Sequence, residues 1–331
     1  MTNIHVIWDG NNTCFRADCV SDLRTKDGLR SAGIYGTLNI LHNMFTELPK
    51  VFRDKGLGDV RVTDNVFCWD MGHSKRRTTL FPEYKAGRNK FKDALEEELK
   101  KAQREEFIQQ TNALHTFLPA LGVRSLRFPG WEGDDIIYTV TRIVQGDEWN
   151  GRADDLWVIV STDEDFHQLI SDNVYLYSPI KEVLYTPDNY AQLRGFPLSG
   201  FITYKILKGD TSDGIPGIQG IGDKTAAALV NQYGDMSNML KPENFPALRK
   251  SARTARILTP EGLQTLQRNN QLINLSYVDY NEIYPQVFTA LIAPTSIDAS
   301  VVRQFMLKYQ LMSIISTLGL WMQEFQGATT T

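Results

Sequence analysis

The sequence predicts an α/β fold: a largely parallel central sheet flanked by helices, followed by a helical region. Three observations carry this. Short apolar runs alternate with helical stretches through the first half of the chain. Three of those runs end at or beside an acidic residue, and open α/β sheets gather their chemistry outside the carboxyl ends of the strands. From about residue 189 the pattern changes to helices and turns.

The first strand is expected over 4–8, directly before Asp9, and the second over 65–69, directly before Asp70. Residues 93–118 read as helix. There Glu96, Glu97 and Glu98 precede Lys100, Lys101 and Arg104, as on a solvated face. Residues 134–145 also read as helix, with Ile136, Ile137, Val140 and Val144 at helical spacing. Asp134 and Asp135 then occupy its first turn, where the helix dipole favours negative charge. A third strand is expected over 156–161, followed by Asp163, and a fourth over 174–177. Residues 213–222 form a glycine-rich loop before a helix at about 223–232. Near the end, Val302, Phe305, Tyr309, Met312 and Ile315 predict one amphipathic helix docked on the core, and 327–331 a frayed tail.

The chain has 331 residues, of which 42% are hydrophobic, enough for one or two packed domains. We expect a core over 1–188 and a helical region over 189–331. Net charge is −4, which taken alone disfavours a nucleic-acid binder. Setting aside nine carboxylates that fall in the motifs below leaves a net positive remainder. Cys14, Cys19 and Cys68 form no C-x-x-C and read as buried free thiols of a reducing compartment. No apolar run reaches transmembrane length, and the N-terminus runs straight into a strand without a signal peptide. A soluble, cytoplasmic protein is expected.

The nine carboxylates are Asp9, Asp70, Glu132, Asp134, Asp135, Asp163, Asp165, Asp210 and Asp213. Crowded carboxylates raise one another's pKa unless cations neutralise them. All-oxygen ligation suits Mg²⁺ and Mn²⁺, and two such ions side by side can cut a phosphodiester. For any single Asp the plainer reading is a turn or a helix cap, and for Asp213, in an Asp-Gly pair, that reading is the stronger.

Residues 73–92 carry Lys75, Arg76, Arg77, Lys85, Arg88, Lys90 and Lys92 against a lone Glu83. Such a stripe suits a phosphate backbone. Lys85 and Arg88, expected one helical turn apart, would reach one phosphate, and Tyr84 would stack on a base. Without the acids beside it, the stripe would read as a solvated loop with Tyr84 in the core. In the glycine-rich loop, Gly217, Gly220 and Gly222 would let backbone amides approach a phosphate, with Lys224 adding charge at a helix N-terminus. Arg16 could hold a phosphate or form a surface ion pair. Arg249, Lys250, Arg253 and Arg256 could extend a DNA track, a solvated helix face being the plainer reading.

These motifs, taken in order, resemble the 5′-nuclease superfamily of flap endonucleases and 5′-3′ exonucleases, in particular the bacteriophage enzymes and the 5′-nuclease domain of bacterial DNA polymerases. They are Asp9-Gly10-Asn11-Asn12 with Phe15-Arg16, Phe67-Cys68-Trp69-Asp70, Tyr84-Lys85-x-x-Arg88, Gly130-Trp131-Glu132-Gly133-Asp134-Asp135, Ser161-Thr162-Asp163-Glu164-Asp165, and the run Gly209 to Ala226. The resemblance implies a two-metal nuclease that cuts branched or 5′-ended DNA and leaves a 5′-phosphate and a 3′-hydroxyl. By position, Asp70, Glu132, Asp134 and Asp135 would hold the first Mg²⁺ with Asp9 close by, and Asp163, Asp165, Asp210 and Asp213 the second, Mn²⁺ being a substitute.

Lys85 and Arg88 would lie at the base of a helical arch built from about 80–110, within the core. A helix-hairpin-helix-like element at about 201–233 would grip duplex DNA and hold K⁺. Implied partners are branched or nicked DNA, an RNA–DNA hybrid and replication proteins, for a monomeric enzyme in the cytoplasm, the host's if phage-encoded. Glu164 stands where relatives often carry a basic residue, and Gly133 where they carry Ala. A DNA-binding protein with a structural metal site and an RNA-processing nuclease of related fold are the competing readings.

Overall fold

The computed structural model describes residues 1–89, 94–146 and 155–329. Six strands form one sheet: β1 (Thr2–Asp9), β2 (Val60–Cys68), β3 (Arg124–Leu126), β4 (Leu156–Val160), β5 (Val174–Ser178) and β6 (Val183–Tyr185). Their order is β3-β2-β1-β4-β5-β6. All pairings are parallel except β5 with β6. The short strands β3 and β6 escape the sequence pattern because each offers only three residues. Chain order reverses between β1 and β4, and ligand sites form at such a switch point. Asp9 pairs with Cys68 and Trp8 with Val160, so three neighbouring strands end level with one another.

Alternation along the strands divides the core in two. Val6, Trp8, Phe67, Val158 and Val160 face one side. They pack under α2 (Ala32–Asp54), which follows α1 (Gly10–Asp18), and under later helices. Ile7, Val66, Cys68, Trp157 and Ile159 face the other side. Between β2 and β3 run the short α3 (Lys75–Leu80) and the long α4 (Ala94–Phe117). Lys90 and Lys92 of the basic stripe lie outside the described residues. α4 is tied to α1 and α2 at Gln110. Gln110 is buried, accepts from the Gly33 N–H at 2.8 Å and donates to Asp18 at 2.9 Å.

α5 (Gly133–Val144) precedes β4, and α6 (Pro187–Arg194) follows β6. α7 (Phe201–Lys208) then leads into a two-stranded hairpin, β7 (Gly209–Asp210) with β8 (Ile215–Pro216), and on to α8 (Asp223–Tyr233). Three short helices follow: α9 (Met236–Met239), α10 (Phe245–Leu248) and α11 (Ala252–Ala255). Two longer ones are α12 (Pro260–Ile273) and α13 (Tyr280–Ile292). Residues of α7, α8, α12 and α13 share one apolar cluster with α5. A third, small core joins Phe81 and Tyr84 to Ile215, Leu272 and Ile273.

The single C-terminal helix expected from periodicity is two helices, α14 (Ala299–Lys308) and α15 (Met312–Ile315). Gln310 between them has φ +53°, which ends the first helix, and Met312 is 62% exposed rather than docked. The last helix, α16 (Leu318–Thr329), extends through residues 327–329, which had been expected to fray. Cys14 and Cys68 are buried, but Cys19 is exposed, contrary to expectation. No described helix is long and apolar enough to cross a membrane.

Candidate active site

Each strand end delivers its acid through a local backbone device. Asp9 caps α1: one oxygen accepts the Asn12 N–H at 3.0 Å, the other the Ser161 hydroxyl at 2.9 Å. Gly10 follows at a point where a Cβ would lie 2.7 Å from the Trp69 ring, so only glycine lets α1 start there. Asp70 accepts the Gly133 N–H at 2.6 Å, which ties β2 to the start of α5. Asp163 caps the turn 164–169 by accepting the Asp165 N–H at 2.8 Å. Asp134 sits half-buried in the first turn of α5.

Among the described residues, none of Asp9, Asp70, Asp134 and Asp163 makes an ion pair. Burial, with the charges of Asp134 and Asp70 adding to it, pushes Asp9 up to about 7. Burial and Asp134 push Asp70 up to about 6. Burial, then Asp165 and Asp134, raise Asp163 well above the carboxylate range. Four carboxylates under this strain have the oxygen-donor chemistry of a hard divalent cation site.

The other acids lie against cations of the chain itself. Glu132 is 1% exposed; it accepts from Arg77 at 2.6 Å, from Lys85 at 3.0 Å and from the Tyr84 hydroxyl at 3.1 Å. Burial opposes ionisation, but Lys85 and Arg77 outweigh it and hold Glu132 at about 2. Arg77 also pairs with Asp135 at 3.0 Å and donates to the Leu272 carbonyl at 3.2 Å. Lys205 is 3% exposed and pairs with both Asp165, at 2.8 Å, and Asp210. Burial again opposes, yet Lys205 holds Asp210 at about 2. Asp165 still rises to about 6, burial outweighing Lys205. Among the described residues, no three His, Cys or acidic side chains stand ready to hold an ion together.

Two expectations change at this site. Tyr84 does not present its ring for stacking: it is 5% exposed, packed in the third core with its hydroxyl on Glu132. Lys85 is not one helical turn from Arg88. It has φ +57° and precedes the 3₁₀ turn Ala86–Asn89, which contains Arg88. The Arg88 side chain lies outside the described residues. A Cβ on Gly217 would lie 2.2 Å from the Lys208 backbone, so packing by itself requires glycine there. Glu132 and Asp135, expected as metal ligands, are ion-paired with Arg77, and Glu132 with Lys85 as well.

Other expected residues keep an open aspect. Gly220 has φ +86°, and a Cβ on Gly222 would meet open space. Lys224 is exposed in the first turn of α8. Arg253 and Arg256 flank Gly220, and Arg256 donates to the Gln219 carbonyl at 3.0 Å, so they frame the hairpin. The Pro216 carbonyl accepts from Asn269 and Arg268. Asp213 is half-buried, and Arg16 is half-buried beside Asp9. Glu164 pairs with Arg194 at 3.0 Å. A cleft of about 310 Å³ opens between Asn12, Thr162, Asp163, Lys205, Lys208 and Asp210.

Arg77 and Lys205 are the residues the sequence reading missed. Lys205 had a signal: it lies four residues after Phe201, on the apolar face of α7. Arg77 stands within a basic run and had none.

Two domain models of one family match the chain. The 5′-3′ exonuclease N-terminal resolvase-like domain covers residues 4–194, and the 5′-3′ exonuclease C-terminal SAM fold covers 197–280. DNA polymerase I of Mycobacterium tuberculosis H37Rv is 29% identical over 277 residues, 82% of this chain and 27% of the relative. The chain thus spans about a quarter of the length of the polymerase relatives it matches. A 5′-3′ exonuclease of Bacillus subtilis is 31% identical over 217 residues, 64% of this chain and 65% of the relative. Among solved structures, the T5 5′-exonuclease with bound zinc aligns over 94% of this chain and 99% of its own, at 19% identity and a TM-score of 0.61. The catalytic core of Rad2 with DNA substrate aligns over 93% and 88%, at 14% identity and a TM-score of 0.50. At these identities the two structures bear on the fold alone.

Proposed function

The chain belongs to the 5′-3′ exonuclease family, a family of hydrolytic nucleases, and we propose that it hydrolyses phosphodiesters of branched or 5′-ended DNA with two divalent ions. The observation that carries this reading is the group Asp9, Asp70, Asp134 and Asp163, which makes no ion pair among the described residues and lies on one sheet edge near Lys85. Mg²⁺, or Mn²⁺ in its place, would be held by these four with Asp213; Asp165 and Asp210 would join as Lys205 yields. Bound there, the ions would activate a water and stabilise the leaving oxygen.

The chain's own groups do the rest. Burial would lower the Lys85 pKa, but Asp134, Glu132 and Asp213 raise it, so its ammonium stays charged. It can donate to an oxygen of the scissile phosphate and offset charge that grows in the transition state. Glu132 sets the height of that ammonium, and Arg77 keeps Glu132 ionised and in place. The cleft beside Asn12 and Thr162 would receive the single strand. Gly222 and Lys224, at the start of α8, offer free N–H groups and a positive charge to the duplex backbone without reading bases. A nicked duplex, a 5′ flap or an RNA–DNA hybrid would satisfy this surface.

The test is cleavage of an end-labelled 5′-flap duplex with Mg²⁺ and with EDTA, beside Asp163→Asn. The reading expects Mg²⁺-dependent cutting near the junction, lost in the variant. Tight flap binding with no cutting under Mg²⁺ or Mn²⁺ would replace it with a DNA-binding protein.

A further inference from the structure

The second acidic group contains a cation of the chain's own. Lys205 rises from the buried face of α7, 3% exposed, with Phe201, Tyr204, Ile206 and Leu207 buried around it. Its ammonium reaches Asp165 at 2.8 Å and Asp210 closely. Asp210 sits in the β7–β8 hairpin, and Asp165 in the turn after β4. The two acids therefore come from distant parts of the sequence, and one ammonium joins them. Asp163 and Lys208 face the same cleft. Asp134 adds its charge to Asp163 and Asp165. Removing one member of a buried ion pair leaves an uncompensated charge, so this lysine does not sit there as filler.

We propose that Lys205 is a positioning residue that stands in for a divalent ion at the second acidic group, keeping Asp165 and Asp210 together when no ion is bound and weakening that group's grip on an ion. The inference rests on the two-ion reading above. A single positive charge balances one carboxylate, whereas a divalent ion balances two. When an ion enters, Lys205 must let go of at least one carboxylate, and its charge then opposes the ion at close range. The second ion therefore binds loosely in the free protein and gains occupancy when a phosphate brings further negative charge into the cleft. No bond of the chain is made or broken in this exchange; one ion pair replaces another.

The experiment titrates Mn²⁺ into the DNA-free protein, with occupancy read by electron paramagnetic resonance and thermal shift, in wild type, Lys205→Met and Lys205→Arg. Wild type is expected to bind one ion more tightly than the second. Lys205→Met should bind the second at least about tenfold more tightly, and should gain more in melting temperature on Mn²⁺ addition than wild type does. Lys205→Arg, which keeps the charge, should resemble wild type. A second-ion affinity in Lys205→Met equal to or below that of wild type overturns the proposal.

If Lys205→Met does not fold even with Mn²⁺, wild-type protein carrying ¹³Cε-lysine answers instead, titrated with Mg²⁺ and assigned through Lys205→Arg. The Lys205 signal should shift in step with the weaker binding event; a signal unmoved at saturation overturns the proposal. Wild type that binds no Mn²⁺ at all would fail the two-ion reading itself, a different result from either.

Discussion

The backbone N–H of Lys85 donates to the carbonyl of Asp213 at 2.8 Å, so the basic stripe and the last acidic motif are one piece of structure. Lys85 holds this bond in a left-handed conformation, φ +57°, which a non-glycine residue adopts only where its surroundings enforce it. Its ammonium meanwhile rests on Glu132. Lys85→Ala should leave the backbone bond intact and remove only the charge. Single-turnover cleavage should slow about 10²–10³-fold, while flap affinity falls little. Equal losses in rate and affinity would assign Lys85 to binding instead.

Asp163→Asn should abolish cleavage and stabilise the metal-free protein at neutral pH. It removes a carboxylate that is costly to ionise, through burial first and then the charges of Asp165 and Asp134. Differential scanning calorimetry in EDTA should show a melting temperature above that of wild type. A lower one would make Asp163 a structural cap before anything else.

The metal-free protein should lose stability as pH rises toward neutrality. Asp9 at about 7, and Asp70 and Asp165 at about 6, hold protons in the folded state that the unfolded chain releases near 3.8. Across that window the folded state binds more protons, so stability falls with rising pH. Glu132 and Asp210, both held at about 2, act with the opposite sign. Their contribution is present above the ordinary carboxylate values and is lost as pH falls toward 2. Melting temperatures in EDTA should peak near about pH 4–5 and decline to pH 7.5, and Mg²⁺ should flatten the decline. A rise from pH 5 to 7.5 in EDTA would contradict these carboxylate environments.

Arg77→Met should cost about 3–5 kcal/mol, because buried Asp135 would lose its cation and Glu132 would keep only Lys85. Urea unfolding checks the size. A change below about 1 kcal/mol would place the pair in the range of solvent-exposed bridges.

Two glycines of one loop should part company. Gly217→Ala places a Cβ 2.2 Å from the Lys208 backbone and should destabilise the fold by about 1–3 kcal/mol. Gly222→Ala meets open space and should fold normally while weakening duplex binding. Lys224→Ala should lower the salt dependence of that binding by about one counterion. A salt slope unchanged in Lys224→Ala would exclude this helix start from the DNA contact.

The strand ends were legible in the sequence because an apolar run that stops at an acid is a local pattern. Asp9, Asp70 and Asp163 could be placed on one edge from that pattern and parallel topology alone. What stayed hidden was pairing across long separations. That Arg77 serves Glu132 and Asp135, or that Lys205 joins Asp165 to Asp210, depends on how helices pack. Neither residue announces its burial in its neighbours' polarity, apart from the apolar face of α7. Tyr84 misled for the same reason: an aromatic among basic residues suggests a base-stacking surface until Ile215, Leu272 and Ile273 are known to cover it. Gln310 ended a helix whose apolar spacing ran straight through it.

The small core of Phe81, Tyr84, Ile215, Leu272 and Ile273 also bears on the order in which the site is completed during synthesis. Every acid of the site has been translated by Asp213. The cover of Tyr84, and the Leu272 carbonyl that receives Arg77, are finished only with α12. A nascent chain halted before Leu272 carries the whole acidic set but lacks part of the apolar seat of Tyr84 and one acceptor of Arg77.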